Sequence, residues 1–238
     1  IYTLSLHDAL PILVIEIYKK YQPDHQKYWR EIAAEIQTFG ANSFATIARG
    51  GKGVLYREVL TDVAGKMKVK FDKSIKTIEL ENMLLEKMLS DNVSKLKTED
   101  LQKLANQVGI SSAASLTKEA LLAAFITAFR AGGFQSYQLT LIITNAVLKS
   151  VIGSGLSFAG NAALTRTVSF LTGPIGWAIT GAWTAVDLAG PAYRVTIPAV
   201  LNVALLRRQD ELEKKHLRAE YERELEKYKR ENNDLADK

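Results

Sequence analysis

Apolar residues recur three and four positions apart through the first half of the chain, the spacing that lays one face of an α-helix against a core. Between His25 and Phe39 they fall at Tyr28, Trp29, Ile32, Ala33, Ile36 and Phe39. Pro23 and Asp24 predict the start of this helix, with Asp24 as N-cap, and Gly40 predicts its stop. A short helix is expected over Ser43–Ala48, broken by Arg49-Gly50-Gly51-Lys52-Gly53. A third covers Val54–Met67, with Leu55, Val59, Leu60 and Val63 on one face, and a fourth covers Ile78–Leu89. Thr98 and Thr117 read as N-caps of a fifth and a sixth helix, which end at Gly109 and before Gly132-Gly133. Ile110–Ser115 between them reads as a hinge. No stretch sustains an apolar/polar alternation, and no Asn-Gly or Asp-Gly turn joins β-branched runs, so strands are not expected.

The pattern changes after Gly133. From Ala131 to Leu206 the charged residues are Lys149, Arg166, Asp187 and Arg194, and glycine recurs at seven positions between 153 and 190. A membrane-spanning helix needs about twenty continuous apolar residues. Residues 139–159 are diluted by Asn145 and Lys149, and 168–186 are interrupted by Gly173-Pro174. Gly173, Gly176 and Gly181 with Ala178 and Ala182 form a small-residue surface that lets helices approach closely. This predicts a Gly/Ala-rich helical hairpin packed in a soluble core. The competing reading is an amphitropic hairpin at a membrane, with Trp177 and Trp183 near the interface. From Arg207 onward charge dominates, and Leu212, Leu217, Tyr221, Leu225 and Tyr228 leave a thin apolar stripe. That last helix is expected to begin at Pro198 and run to about Asn232. The expected fold class is all-α: a multi-helix bundle, an apolar hairpin and a long charged C-terminal helix.

Composition narrows the function more than the fold. The 238 residues contain no cysteine and three histidines, His7, His25 and His216, far apart in sequence. Disulfides and thiolate chemistry are excluded, and no metal site or other cofactor is expected. A formal charge of +5 is mild, and lysine and glutamate alternate in most charged stretches, so no nucleic-acid partner is expected. Residues 1–12, Ile1 to Ile12, lack the helical periodicity of the rest of the chain and resemble a translated sequencing adapter, which would make the chain a fragment lacking its natural N-terminus. The division expected is a leader at 1–12, a charged amphipathic region at 13–133, the apolar region at 134–206 and a charged tail at 207–238.

Few residues invite a chemical reading. Gly50-Gly51-Lys52-Gly53 lacks the Ser/Thr and the preceding strand of a phosphate-binding loop, and reads as a helix-breaking loop. His25 with Glu31 and Glu35 lacks a second ligand at helical spacing and reads as structural. Asp187 and Arg194, opposite charges in an apolar segment, predict a salt bridge, because an unpaired buried ion is costly. Arg207-Arg208, directly after the apolar segment, would suit anionic lipid headgroups as well as a solvated helix surface. No Ser-His-Asp order, H-E-x-x-H or G-x-S-x-G is present, so no catalytic residue is assigned and no enzyme is expected.

Two blocks carry a family resemblance. The first, residues 25–67, joins an aromatic-rich helix to Phe39-Gly40 and Asn42-Ser43, then to Arg49-Gly50, Gly53 and Tyr56. The second is GPAYRVTIPAVLNVALLRR at 190–208. Both resemble the bacterial YaaW family, over roughly residues 16–208. The family is in turn similar, at a distance, to ubiquinol–cytochrome c chaperones, which assist assembly of a respiratory complex. The resemblance implies an all-α fold and a partner-binding role rather than catalysis. Its motif positions here are Arg49, Gly50, Gly53, Tyr56, Gly190, Tyr193 and Arg194.

The function expected is binding of a protein partner or a membrane surface, with an assembly or chaperone-like role, in the cytoplasm or peripherally at the inner membrane. Two alternatives are a ligand or hydrolytic site near Arg49–Tyr56 and a pore-type insertion of the rear hairpin. The charged C-terminal helix offers a route to a homo-oligomer, although Leu212 to Leu217 breaks a heptad.

Overall fold

The computed structural model describes residues 25–40, 54–110, 113–152 and 193–236, and among them the protein is all-α. Seven α-helices run in chain order among the described residues: α1 (Trp29–Gly40), α2 (Tyr56–Lys66), α3 (Thr77–Val93), α4 (Thr98–Gln107), α5 (Lys118–Ala131), α6 (Gly133–Ile152) and α7 (Tyr193–Ala236). Short 3₁₀ turns cover His25–Tyr28 and Ala113–Ser115.

The helical spacing in the sequence becomes buried faces. On α3, Leu80, Leu84, Leu85, Met88, Leu89 and Val93 point inward. On α5 the inward set is Leu121, Phe125, Ala128 and Phe129. One continuous core runs from Val54 to Ala204 and takes side chains from α2 through α7. At its centre lies α6, in which every residue from 136 to 148 is buried, polar Ser136, Thr140, Thr144 and Asn145 included. The α6 helix packs on α3, α5 and the first part of α7. A helix apolar nearly all round has to be enclosed in this way. The hydroxyl of Thr140 donates to the Ser136 carbonyl at 2.9 Å, whereas the Thr144 hydroxyl and the Asn202 amide have no hydrogen-bond partner among the described residues.

Several boundaries differ from expectation for identifiable reasons. Thr117 does cap α5, accepting from the Ala120 N–H at 3.3 Å. Thr98 does not cap α4: it is the first helical residue, and extended Lys97 holds the cap position without a side-chain bond. The last helix starts at Tyr193, not Pro198, so the proline sits inside it and removes one i→i−4 bond near the N-terminal end. Trp29, placed by spacing on the inner face of α1, is 58% exposed under the Arg30 guanidinium, and the 3₁₀ turn before it buries Tyr28 instead. Gly109 and Gly132 end their helices at φ values of 75° and 73°, which glycine adopts without strain. Asp24, Ser43–Ala48, Gly173, Gly176, Trp177, Ala178, Gly181, Ala182 and Trp183 lie outside the described residues, as does the leader. No described helix is long and apolar enough to cross a membrane.

Leu84 is fully buried at the heart of α3. Leu84→Ala should lower unfolding stability by about 2–5 kcal/mol, the usual cost of a lost core leucine and the cavity left behind. Urea denaturation of both proteins measures it.

Candidate functional site

The N-terminal end of α2 meets the middle of α7 across α3, and a polar cluster around the buried Glu81 forms there. Tyr56 opens α2, directly after extended Leu55. Its hydroxyl donates to Glu81 Oε1 at 2.7 Å. Glu81 projects from α3 and is only 3% exposed, so its charge must be satisfied inside the protein. The same oxygen accepts from Arg207 Nε of α7 at 3.2 Å. One residue along, Asn82 Oδ1 accepts from Arg208 Nη2 at 2.7 Å. The Arg208 guanidinium also lies 5.2 Å from the centre of the Phe129 ring on α5 and 3.4 Å from Glu211. Two adjacent arginines thus fasten α7 to α3 and α5 at the point where the buried part of α7 ends.

The sequence left Arg207-Arg208 open between lipid headgroups and a solvated helix surface; both guanidiniums bond partners on α3, with 45% of the Arg207 side chain still exposed. The same geometry fixes the state of Tyr56. Burial, and then the adjacent Glu81 carboxylate, push the phenol far above its usual range, with Arg207 opposing weakly. With its proton held on the oxygen, Tyr56 acts as a hydrogen-bond donor to Glu81. Among the described residues no three His, Asp or Glu side chains gather as metal ligands would.

Above the cluster lies an open groove lined by Leu55, Tyr56, Arg57, Lys76, Thr77, Ile78, Glu79 and Arg207. The Arg57 guanidinium donates to the Lys73 carbonyl at 2.9 Å and to the Thr77 hydroxyl at 3.3 Å, which ties the loop between α2 and α3 back to the start of α2. That loop and its flanks carry Lys66, Lys68, Lys70, Lys73 and Lys76 against Asp72. Val69, Phe71 and Ile75 pack on the core while Lys68, Lys70, Lys73 and Lys76 are exposed. The sequence reading found no clustered cations, yet this cluster was legible as five lysines within eleven residues. Helical pairing of Lys with Glu elsewhere in the chain hid it.

Of the motif positions, Tyr56 and Tyr193 are both described and stand at opposite ends of α2. The Lys66 ammonium of α2 lies 5.3 Å from the Tyr193 ring centre. Arg194 belongs to the first turn of α7. Arg49, Gly50, Gly53, Asp187 and Gly190 lie outside the described residues, as does Lys52. The structure therefore brings the two sequence blocks together along α2 and α7, which pack on each other. Sequence reasoning missed Glu81 because a glutamate within a helix reads as a solvated charge.

Comparisons with known proteins place the chain in a family. The family model for ubiquinol–cytochrome c chaperones matches residues 24–204. A UPF0174 protein of Helicobacter pylori is 50% identical over 190 residues, covering 80% of this chain and 75% of that protein. Another from Helicobacter pylori is 40% identical over 194 residues, covering 80% and 92%. The UPF0174 protein YaaW of Escherichia coli K12 is 37% identical over 190 residues, covering 77% and 73%. No solved structure matches. The chain belongs to this UPF0174 (YaaW) family, which is distantly related to the ubiquinol–cytochrome c chaperone domain.

At pH 7, Tyr56→Phe should cost about 1.5–3 kcal/mol, the range for a hydrogen bond to a charged group. The pH dependence has a definite sign. The folded pKa lies above the unfolded value of about 10, so this contribution is complete below pH 10 and declines as pH rises beyond it. Denaturation at a series of alkaline pH values should show a flatter loss of stability for Tyr56→Phe than for the native chain.

Proposed function

We propose that this UPF0174 protein is a non-enzymatic helical binding protein with an assembly or chaperone-like role, presenting the outer half of α7 to a protein partner. The observation that carries the reading is the exposure of that half. Every side chain from 213 to 230 is exposed, beyond the point where Arg207 and Arg208 hold the helix to the bundle. Leu217, Tyr221 and Tyr228 each stand about two-thirds exposed, and with Leu225 they fall within about 80° of the helix circumference. Large apolar side chains left in water along one face of a rigid helix suit a partner's groove. The polar faces around them carry their own pairs, Lys214 with Asp210 at 2.7 Å and Arg230 with Glu226 at 3.7 Å.

Two further points support the reading. The family match is to a chaperone model and not to an enzyme. The buried polar cluster at Tyr56, Glu81 and Arg207 is occupied in holding helices together. On this reading the protein works in the cytoplasm, at times against the inner surface of the inner membrane.

The test compares the full chain with Leu217→Ser, Tyr221→Ser, Tyr228→Ser, all exposed positions. Sedimentation should show equal folding of both. A photo-crosslinking residue at position 224 should yield a discrete adduct in bacteria for the native stripe and none for the triple variant. Identical adduct patterns, or no adduct in either, would remove the proposal. An adduct at twice the chain mass would identify a second copy as the partner.

A further inference from the structure

We propose that Lys68, Lys70, Lys73 and Lys76, with Leu55 and Ile78 beside Lys76, form a docking face for a bilayer surface carrying anionic headgroups. This extends the peripheral membrane placement proposed above by naming the face and the headgroup charge, and it is independent of the partner of α7.

Three observations carry it. First, these lysines are unneutralised. On α7, Arg208, Lys214 and Arg230 each pair with an acid one turn away, whereas none of these four lysines makes an ion pair with a described residue. Asp72, the one acid in the loop, is held below the usual carboxylate range by the Ser74 hydroxyl and backbone N–H, and it spends its Oδ1 on them at 2.5 and 2.7 Å. Five lysines against one aspartate leave this stretch at a formal +4, close to the whole-chain value of +5.

Second, the loop is built to point them outward. The alternating inner residues Val69, Phe71 and Ile75 anchor it to the core, and Arg57 clamps its far end. The α2 helix closes with two bonds, Val69 N–H to the Ala64 carbonyl at 2.9 Å and Lys68 N–H to the Gly65 carbonyl at 3.0 Å. This closure places Lys68 in the left-handed region at φ 57°, where glycine is the favoured residue. A lysine therefore stands where glycine would be more stable.

Third, the cation at the end of the loop, Lys76, flanks exposed aliphatic side chains. Leu55 is 66% and Ile78 48% exposed, and both line the groove that contains Lys76 and Arg207 together with one acid, Glu79. Lysines around apolar side chains match a lipid interface, where the aliphatic groups enter the acyl boundary and the ammoniums meet the headgroups. A nucleic acid would gain nothing from Leu55 or Ile78. A single strand would also seek aromatic stacking, and the loop's one aromatic, Phe71, packs on the core.

The full chain is sedimented with phosphatidylcholine vesicles, with and without phosphatidylglycerol. Binding should require phosphatidylglycerol and weaken as salt is raised. Lys68→Gln, Lys70→Gln, Lys73→Gln and Lys76→Gln together should weaken it about a hundredfold or more, from roughly fivefold per lysine. Should that variant fail to fold, Lys70→Gln and Lys73→Gln singly should each show about a fivefold loss. Lys68→Gly separates architecture from docking, because it should raise thermal stability and still lose about fivefold in binding. Leu55→Ser with Ile78→Ser should weaken binding about tenfold without changing its salt dependence. Equal binding to both vesicle types, no binding to either, or undiminished binding by the lysine variants overturns the proposal. So does tighter binding to random-sequence duplex DNA than to the anionic vesicles, which would assign the face to nucleic acid.

Discussion

The enclosure of α6 is the constraint on which the rest of the architecture depends. Thirteen consecutive buried residues, 136 to 148, leave that helix no solvent face, so neighbours must cover it on all sides. The first part of α7 does so along with α3 and α5, which is why residues 196–206 of α7 read TIPAVLNVALL before the helix turns charged. Where the cover is complete, burial stops and the character of α7 changes within two residues. An ion in the covering stretch would have needed a partner of its own, and the near absence of charge there is the cheaper solution.

At that switch sits the Glu81 cluster. A carboxylate this deeply buried is costly unless its oxygens are satisfied, and Tyr56 and Arg207 satisfy it from two other helices. The arrangement therefore specifies position as much as it adds stability: α2, α3 and α7 must all be in register for both bonds to form. Arg208 repeats the logic on Asn82 and the Phe129 ring. The direction in which the outer half of α7 leaves the bundle is thus set by a few polar contacts at its base.

The helices were legible in the sequence because burial of one face imposes a three-to-four spacing that local composition does not blur. That is why α2 and α5 were expected within a residue or two of where they lie, and why Thr117 was identified as a cap. Thr98 failed because a threonine followed by two acids looks the same at the cap and one position inside it. Pro198 failed because covering α6 over one more turn outweighs a single lost backbone bond. Tyr56 was legible as a motif position, but its partner Glu81 was not, since pairing between residues twenty-five and more apart leaves no periodic trace. The lysines of the loop were visible in composition, and their meaning depends on Val69, Phe71 and Ile75 facing the other way, which only the packing reveals.

One property of α7 has consequences for any complex it enters. Beyond Leu212 the helix continues for some twenty-four residues as a free rod, about 36 Å long at the standard rise. A rod of that kind couples reach to azimuth. Shortening it by eleven residues would bring its tip about 16 Å nearer the bundle while returning the apolar stripe to within about 20° of its original bearing. Shortening it by two residues would barely change the reach and would swing the stripe by about 200°, to the far side. Chains of this family that differ in tail length can therefore engage the same kind of groove at different stand-off distances, provided their length changes keep the phase of the helix.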